Sequence, residues 1–546
     1  MKVTQLTTSV GFFKKFLKAN CLHIDSIEYL QEEKHKLGEE YTQDTYYVHG
    51  RIYKRMRHMC PICKRICPRH DTQRDVESKW RAPNVDGAHV YVCYRPDRIE
   101  CPEHGNKTEY IPWADGGSRF LPSFNNEVAY LALNTSKSLI AEYMDIDWQT
   151  VGSCIKATHE RLEPDTNIRL RNLVRICIDE TSYKKGHKYI TVVVNMDNNQ
   201  VVWVHEGHDN ETITKFCELL TPEEQQRIEI VAGDGAKWIN YACENYFTNA
   251  RRCMDPFHVV GWINKALDDV RASVSRQATR QLNEEQERLE KEAERQHQEW
   301  LEEYDRYTKF KEELQGMPRR GRRSSRKQEL ITFIEGFEAA YGETMDLLKK
   351  KQKGELTDEQ KKRLEQLKEK VTSIKGSKYT LGMNPENLSD CSREKLLLIE
   401  AASPDLYEAY KLKEMLRVII HMTNVELAKE SLEDWKNAAE KSKFTSIRAL
   451  GEKIGRVKEY ILNSVQYGAN SSKSEQTNGL IKGIIHVAKG FRNLNNMYSL
   501  IFLRCSDIVI PLNNRYRPSA EMLKKRREYA AALRAKREEA KRAILA

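Results

Sequence analysis

The alternation of apolar and polar residues changes period several times along the chain, and each change marks an element. Val174-Arg-Ile-Cys-Ile-Asp179-Glu180-Thr181 is a short apolar run ending in a carboxylate. A turn containing glycine (Lys184-Lys185-Gly186-His187) and two β-rich runs, 188–195 and 200–205, follow it. This pattern predicts a central strand that hands Asp179 to a water-accessible edge and then continues into a hairpin. A second apolar run, Ile228-Glu-Ile-Val-Ala232, delivers Gly233-Asp234-Gly235 in the same way. Between the two lies a helical stretch, 210–220, and Thr221-Pro-Glu-Glu224 has the capping-box spacing of another short helix. Ala250–Asp255 reads as a fifth strand, after which Pro256-Phe-His258 starts a helix.

The resulting order is strand, strand, strand, helix, strand, helix, strand, helix. Three antiparallel strands extended by parallel ones through crossover helices make an α/β core of the RNase H-like kind. The flanks follow other rhythms. Residues 1 to about 55 carry only weak signals for short strands at 23–30 and 45–49, and 89–94 is strand-like. From Phe124 the pattern is helical. Ser138–Met144 forms a short helix, Asp145-Ile-Asp147 a turn, and Trp148–His159 a longer helix with Asp147 as its N-cap. That layout suits a helix-turn-helix module in which Gln149, Thr150, Ser153 and Lys156 face the major groove, though any helical hairpin would share the pattern.

From about 271 to 464 long helices dominate. Residues 281–314 carry a thin stripe (Leu282, Leu289, Ala293, Trp300, Tyr304, Tyr307), narrow enough for a helical hairpin or coiled-coil arm. The break at 318–327 is basic, with Arg319, Arg320, Arg322 and Arg323, and Thr357-x-x-Gln360 is a second capping box.

Composition narrows the reading. A length of 546 residues exceeds one core, so several domains are expected. Charged residues make up 31% and hydrophobic ones 40%, and mean hydropathy is −0.71, which fits a chain rich in solvated helix. No apolar run reaches the roughly 18 residues of a membrane span. The start of the chain lacks a signal-peptide layout, so the expected location is the cytoplasm, in association with the nucleoid. The net charge of +10 is clustered, at 51–58, at 319–323 and at 524–527. Such clusters point to a polyanion partner or, taken singly, to solvated helix ends. Thirteen cysteines in a cytosolic chain argue against a disulfide framework.

One group of cysteines has ligand spacing. Cys60-Pro-Ile-Cys63 and Cys101-Pro-Glu-His104 each place two residues between ligands, so two tight knuckles can complete a tetrahedron around structural Zn²⁺. Cys67 and His70 are spare candidates. This upstream knuckle pair, with the basic clusters, favours DNA as the partner of the helix-turn-helix. The aspartates imply a different metal. Asp179 and Asp234 at the ends of adjacent strands would repel each other unless a cation sat between them, and hard oxygen ligands select Mg²⁺ or Mn²⁺. Downstream, Glu475, Asn478 and Lys482 share one helical face at i, i+3 and i+7. They offer a carboxylate for metal, an amide to position a strand and an ammonium for a phosphate.

Together these residues resemble the insertion-sequence transposases of the ISL-three family, in the DDE superfamily. The resemblance covers most of the chain. It rests on the zinc knuckles, the helix-turn-helix, Ile178-Asp179-Glu180, Gly233-Asp234-Gly235-Ala236, Asp255-Pro-Phe-His258 and Glu475-x2-Asn478-x3-Lys482. It is looser in the helical block, where Asn384–Leu388 and Tyr410–Glu414 are the best points. His104 stands where a Cys is more usual in the family. The resemblance implies that Asp179, Asp234 and Glu475 are a catalytic triad, and that a large all-helical insertion separates the second Asp from the Glu. Asp255-x2-His258 would be the C/D-x2-H signature of transposases with such insertions, His258 positioning DNA or water or else packing at the helix start.

The implied domains are a zinc-binding module (1–110), a helix-turn-helix (111–170), the first part of an RNase H-like core (171–270), the insertion (271–464), the second core part (465–513) and a basic tail (514–546). The expected activity is binding of terminal inverted repeats in double-stranded DNA, cleavage of the element ends and joining to target DNA by two-metal phosphoryl transfer. Paired ends imply a homodimer or larger assembly, away from any membrane. Competing readings are a catalytically inactive DNA-binding regulator and a structure-selective nuclease on the same fold.

Overall fold

The computed structural model describes residues 3–5, 10–17, 21–36, 39–72, 77–317, 325–342, 355–468 and 472–512, with single positions beyond these. The chain divides into two compact units, Met1–Ala250 with Ser471–Ala546, and Arg251–Asn470. Among the described residues no helix is long and apolar enough to cross a membrane.

The first unit opens with β1 (Val3–Gln5), α1 (Val10–Leu17), β2 (Leu22–Lys36) and β3 (Glu39–Ile52). The last two are far longer than the two short strands expected, and pair antiparallel from Leu22↔Ile52 to Lys36↔Glu39. Their outward positions carry Glu, Lys and Gln, which dilutes the alternation that reads as a strand. Then come β4 (Arg69–Thr72), β5 (Ser78–Val85), β6 (Ala88–Tyr94), β7 (Asp97–Cys101) and β8 (Gly105–Thr108). Two sheets result, ordered β1-β2-β3-β6-β5 and β4-β7-β8. The larger buries Leu22, Ile27, Val48, Val90, Val92 and Trp80 against Phe13 and Leu17 of α1.

Three helices follow: α2 (Pro122–Ala132), α3 (Lys137–Met144) and α4 (Trp148–Leu162). Between α3 and α4, Asp145 takes φ 50°, a left-handed C-cap conformation that short polar residues tolerate. Buried Arg81 of β5 donates to the carbonyls of Met144 (2.7 Å) and Asp145 (2.8 Å), so a cation terminates α3 and ties it to the sheet. Asp147 holds the N-cap position of α4 but makes no side-chain cap there.

The next sheet contains β9 (Arg175–Lys184), β10 (Lys188–Asn195) and β11 (Gln200–Glu206). Helices α5 (Asn210–Cys217) and α6 (Pro222–Arg227), the latter with the expected Thr221/Glu224 capping box, lead to β12 (Ile230–Gly233) and α7 (Lys237–Asn245). The order is β11-β10-β9-β12, with β10 antiparallel to both β9 and β11, and β12 parallel to β9. One face buries Ile176, Ile178, Val193 and Val231 with Phe216 and Ile239 of the covering helices.

The second unit starts with the expected strand, β13 (Arg251–Met254), and with α8 (Pro256–Gln315), one helix of 60 residues. It continues through α9 (Ser325–Tyr341), α10 (Asp358–Lys375), α11 (Lys378–Gly382), α12 (Asp390–Ala402), α13 (Pro404–Ile419), α14 (Val425–Glu440), α15 (Thr445–Arg456) and α16 (Lys458–Tyr467). Val259, Ile263, Leu267 and Val270 of α8 pack with Leu416, Trp435 and Ile447. Trp435, fully buried, satisfies its indole N–H on the Leu412 carbonyl at 2.7 Å. The distal stripe packs as an aromatic hairpin, Trp300 and Tyr307 against Ile334 and Phe337 of α9. α17 (Ser472–Ala488) and α18 (Leu494–Cys505) then return to the first unit, where α18 lies against α4 and β11.

Candidate functional site

The sheet register builds one site. β12 runs parallel to β9 with Val231↔Ile176 and Gly233↔Ile178 in register. Adjacent strands lie about 4.8 Å apart. Asp234, one residue past Gly233, therefore comes level with Asp179, one residue past Ile178. Ile176, Ile178 and Val231 face the apolar core, so alternation turns both aspartates to the opposite face. Each is half-buried, and each fixes one oxygen on a local amide. Asp179 Oδ1 accepts from Glu180 N at 2.8 Å, and Asp234 Oδ1 accepts from Ala236 N at 2.9 Å.

Helix α17 lies on the same strand. Asn478 donates its amide to Asp179 Oδ2, and Thr181 Oγ1 donates to Asn478 Oδ1 at 3.3 Å. Asn478, expected to touch DNA, is thus engaged with a carboxylate of the aspartate pair. No sequence signal announced this bond between residues 299 positions apart. Lys482, one turn on, is exposed. Glu475 lies within α17, but its side chain is outside the described residues, as are Arg319, Arg320, Arg322 and Arg323. In the second unit, Asp255 caps α8 by accepting from Phe257 N at 2.9 Å, and His258 Nε2 lies 3.7 Å from the Asp255 carboxylate. That arrangement matches packing at the helix start.

A second cluster sits in the N-terminal sheets. Cys60, Cys63, Cys101 and His104 bring their ligand atoms within 4.8 Å of one another. Cys63 and Cys101 sulfurs are 3.7 Å apart, and His104 Nδ1 lies 3.5 Å from Cys101 and 3.8 Å from Cys60. Metal–sulfur arms of about 2.3 Å and metal–nitrogen arms of about 2.0 Å in a tetrahedron give edges of roughly 3.8 and 3.5 Å, so this donor set fits Zn²⁺. Burial opposes ionisation of Cys101, yet amide donors at Glu103 and His104, then the Cys60 and Cys63 thiols, bring its pKa down to about 7. Of the spare candidates, Cys67 is buried beside Cys60 and Cys101 with its thiol on the Arg65 carbonyl, outside the group of four, and exposed His70 pairs with Asp71.

Around this cluster runs a polar brace that the sequence did not signal. Buried Asp97 accepts from Arg57 (2.9 Å), His58 (3.0 Å) and Arg69 (3.1 Å). Buried Glu109 accepts from the His58 amide (2.7 Å), the Asp97 amide (2.8 Å) and the Tyr94 hydroxyl (2.6 Å). Buried Asp97 is thereby paired with cations and buried Glu109 hydrogen-bonded by neutral donors, from segments that flank the knuckles.

On α4, Gln149, Ser153 and Lys156 are exposed and Thr150 half-exposed, while Val151, Cys154 and Ile155 face inward. At Gly152, α4 closely approaches α18, and a Cβ there would displace the side-chain amide of Asn496. Lys156 is paired with Glu160 at 3.6 Å. A groove of about 700 Å³ flanks this helix, lined by Thr150, Ser153 and Arg161 and, across from them, by Gly117, Arg119 and Phe120.

Residues 176–330 and 337–501 match the family model of ISL-three transposases of the DDE type, described as transposase. The transposase for insertion sequence element IS1557 of Mycobacterium tuberculosis is 28% identical over 447 residues, 81% of this chain and 85% of that protein; the relative is the same in strains CDC 1551 / Oshkosh and ATCC 25618 / H37Rv. The transposase for insertion sequence element IS1001 of Bordetella parapertussis is 28% identical over 184 residues, 33% of this chain and 44% of its own length.

Proposed function

The chain belongs to the ISL-three family of transposases, and on that premise we propose that it cuts the ends of an insertion sequence and joins them to target DNA at a centre formed by Asp179, Asp234 and Glu475. The observation that carries this reading is the in-register placement of Asp179 and Asp234 on one sheet face, with Asn478 of the Glu475 helix bonded to Asp179. The sheet of three antiparallel strands and a parallel fourth supports reading this region as an RNase H-like core. In this reading the core is interrupted by the helical unit, and residues 465–513 return the Glu to it.

Two Mg²⁺ or Mn²⁺ ions held by the three carboxylates would activate the attacking oxygen, first of water and then of a DNA 3′-hydroxyl, and stabilise the leaving 3′ oxygen. The chain's own residues do the positioning. The amide bond at Asp179 Oδ1 and Asn478 at Oδ2 fix the plane of that carboxylate, and the Ala236 amide does the same for Asp234. Lys482, exposed one turn beyond Asn478, would neutralise a phosphate on the bound strand. Asp255 and His258 would hold the start of α8.

DNA would be recognised by the N-terminal modules. Zn²⁺ at Cys60, Cys63, Cys101 and His104 would stiffen the knuckles, and Gln149, Thr150, Ser153 and Lys156 on α4 would read a terminal inverted repeat as the second helix of a helix-turn-helix. Arg319, Arg320, Arg322 and Arg323 would grip flanking DNA through counterion release. Pairing of two ends would require a homodimer or larger assembly. The test uses labelled DNA carrying the element ends: wild type cuts at the element border in Mg²⁺, and Asp234→Ala does not. Equal cutting by both rejects the assignment. Pre-cut ends supplied with a target plasmid give joined products for a transposase and only hydrolysis for a nuclease.

A further inference from the structure

On the face of the N-terminal sheet opposite its apolar core, three strands converge on a second set of ligand types. Val48 of β3 and Val92 of β6 point into the core, so alternation turns His49 and Cys93 outward. The two strands are parallel, with His49 and Cys93 directly in register. Glu77, just before β5, completes a trio whose ligand atoms all lie within 4.8 Å of one another. His49 Nδ1 is 3.1 Å from Glu77 Oε1, and His49 Nε2 is 3.5 Å from Glu28 Oε2 on β2. Cys93 is fully buried, although it belongs to the polar side of the sheet.

We propose that His49, Cys93 and Glu77 form a second zinc site, independent of the Cys60–His104 knuckles, with Glu28 orienting the histidine. One ring nitrogen can take a cation with Glu77 and Cys93, while the other, buried and making no hydrogen bond, faces Glu28 Oε2 at 3.5 Å and would turn to it when the metal binds. A ligating histidine whose second nitrogen is held by a carboxylate is the usual outer arrangement of protein zinc sites. A thiolate, an imidazole and a carboxylate suit Zn²⁺ or Co²⁺ over Mg²⁺, and three ligands leave a fourth position for water. The local charge also fits. Two carboxylates and a buried thiol gather around one imidazole, and Lys79, paired with Cys93 across β5 and β6, places its ammonium over the Tyr47 ring at 4.1 Å. Bound metal would clip the start of β5 to β3 and β6.

The test counts metal in the full-length chain after dialysis into excess Mg²⁺, which keeps the catalytic carboxylates from retaining zinc. Wild type is expected to hold two zinc ions per chain, and His49→Gln and Cys93→Ser one each. In Co²⁺-substituted protein, His49→Gln keeps the intense thiolate band of the knuckle site and loses the weaker second binding phase. His49→Gln is the milder change, because His49 reaches the surface and its replacement leaves the strand pairing intact. One zinc in wild type, or two retained in both variants, overturns the proposal. So does a Co²⁺ titration of wild type that saturates in a single phase.

Discussion

The knuckle cluster and the carboxylate centre solve opposite problems of assembly. The knuckles gather soft ligands from two local turns, Cys60-x2-Cys63 and Cys101-x2-His104, joined by one small sheet. Four ligands around Zn²⁺ would leave no open coordination position. The carboxylate centre draws Asp179 and Asp234 from neighbouring strands and reaches 299 residues downstream for the helix that holds Asn478. Its side chains offer hard oxygens, and in the proposed function these would hold Mg²⁺ with positions left for DNA. A closed, locally built site gives stability, whereas an open site built from distant segments depends on the whole fold and can do chemistry.

The sharpest way to break this contrast is to disable each site in turn. Asp234→Asn is expected to lower end cleavage by about 10²–10³-fold, the scale of a lost electrostatic stabiliser, while leaving end binding intact in a gel-shift assay. Cys63→Ser should do the reverse. It releases zinc and reduces discrimination of end DNA from random DNA by on the order of 10³, measured as a ratio of Kd values at fixed salt. Asn478→Ala sharpens the comparison within the carboxylate site. Loss of a group that orients a metal ligand should cost about 10–100-fold in cleavage and raise the Mg²⁺ concentration needed for half-maximal rate. A merely structural Asn478 would leave that Mg²⁺ dependence unchanged.

The smallest effect concerns stability of the N-terminal sheet. Burial, then Arg81 and Lys34, push the His89 imidazole down to about 4, against the pull of Asp145. The folded state therefore keeps His89 neutral while the unfolded chain takes a proton near 6.5. Stability is full above about pH 6.5 and falls as pH drops from there toward 4. Between pH 7 and 5.5 the loss is about 1 kcal/mol in urea unfolding, and His89→Gln should flatten it.

The same contrast decides what could be read from the chain. The knuckles were legible because their chemistry is encoded in adjacent residues. The strands carrying Asp179 and Asp234 were legible because short, mostly apolar runs end abruptly in a carboxylate. The length of β2 and β3 was not, since Glu32, Glu33 and Lys34 put charged residues on both sides of the strand and hide the alternation, Glu32 being held by the Tyr47 hydroxyl and Lys34 lying near Asp145. The start of α8 is marked by Asp255-Pro256, yet its 60-residue course crosses a shift in composition that looks like a boundary. Asn478 could be placed on a helix face with Glu475, but its partner could not be named, because that contact depends on tertiary folding alone. Cys93 gave no signal either, as its neighbours in the proposed second zinc site come from other strands.

The claim on which the account rests is that Asp179, Asp234 and Glu475 meet at one divalent-ion centre. Replacing Mg²⁺ with Fe²⁺ and adding ascorbate and peroxide generates radicals that cut the backbone next to the bound ion. The account expects cuts clustered near residues 179, 234 and 475, all suppressed by excess Mg²⁺. Cuts at the first two without any near 475, with the chain assembled on its end DNA, would contradict it.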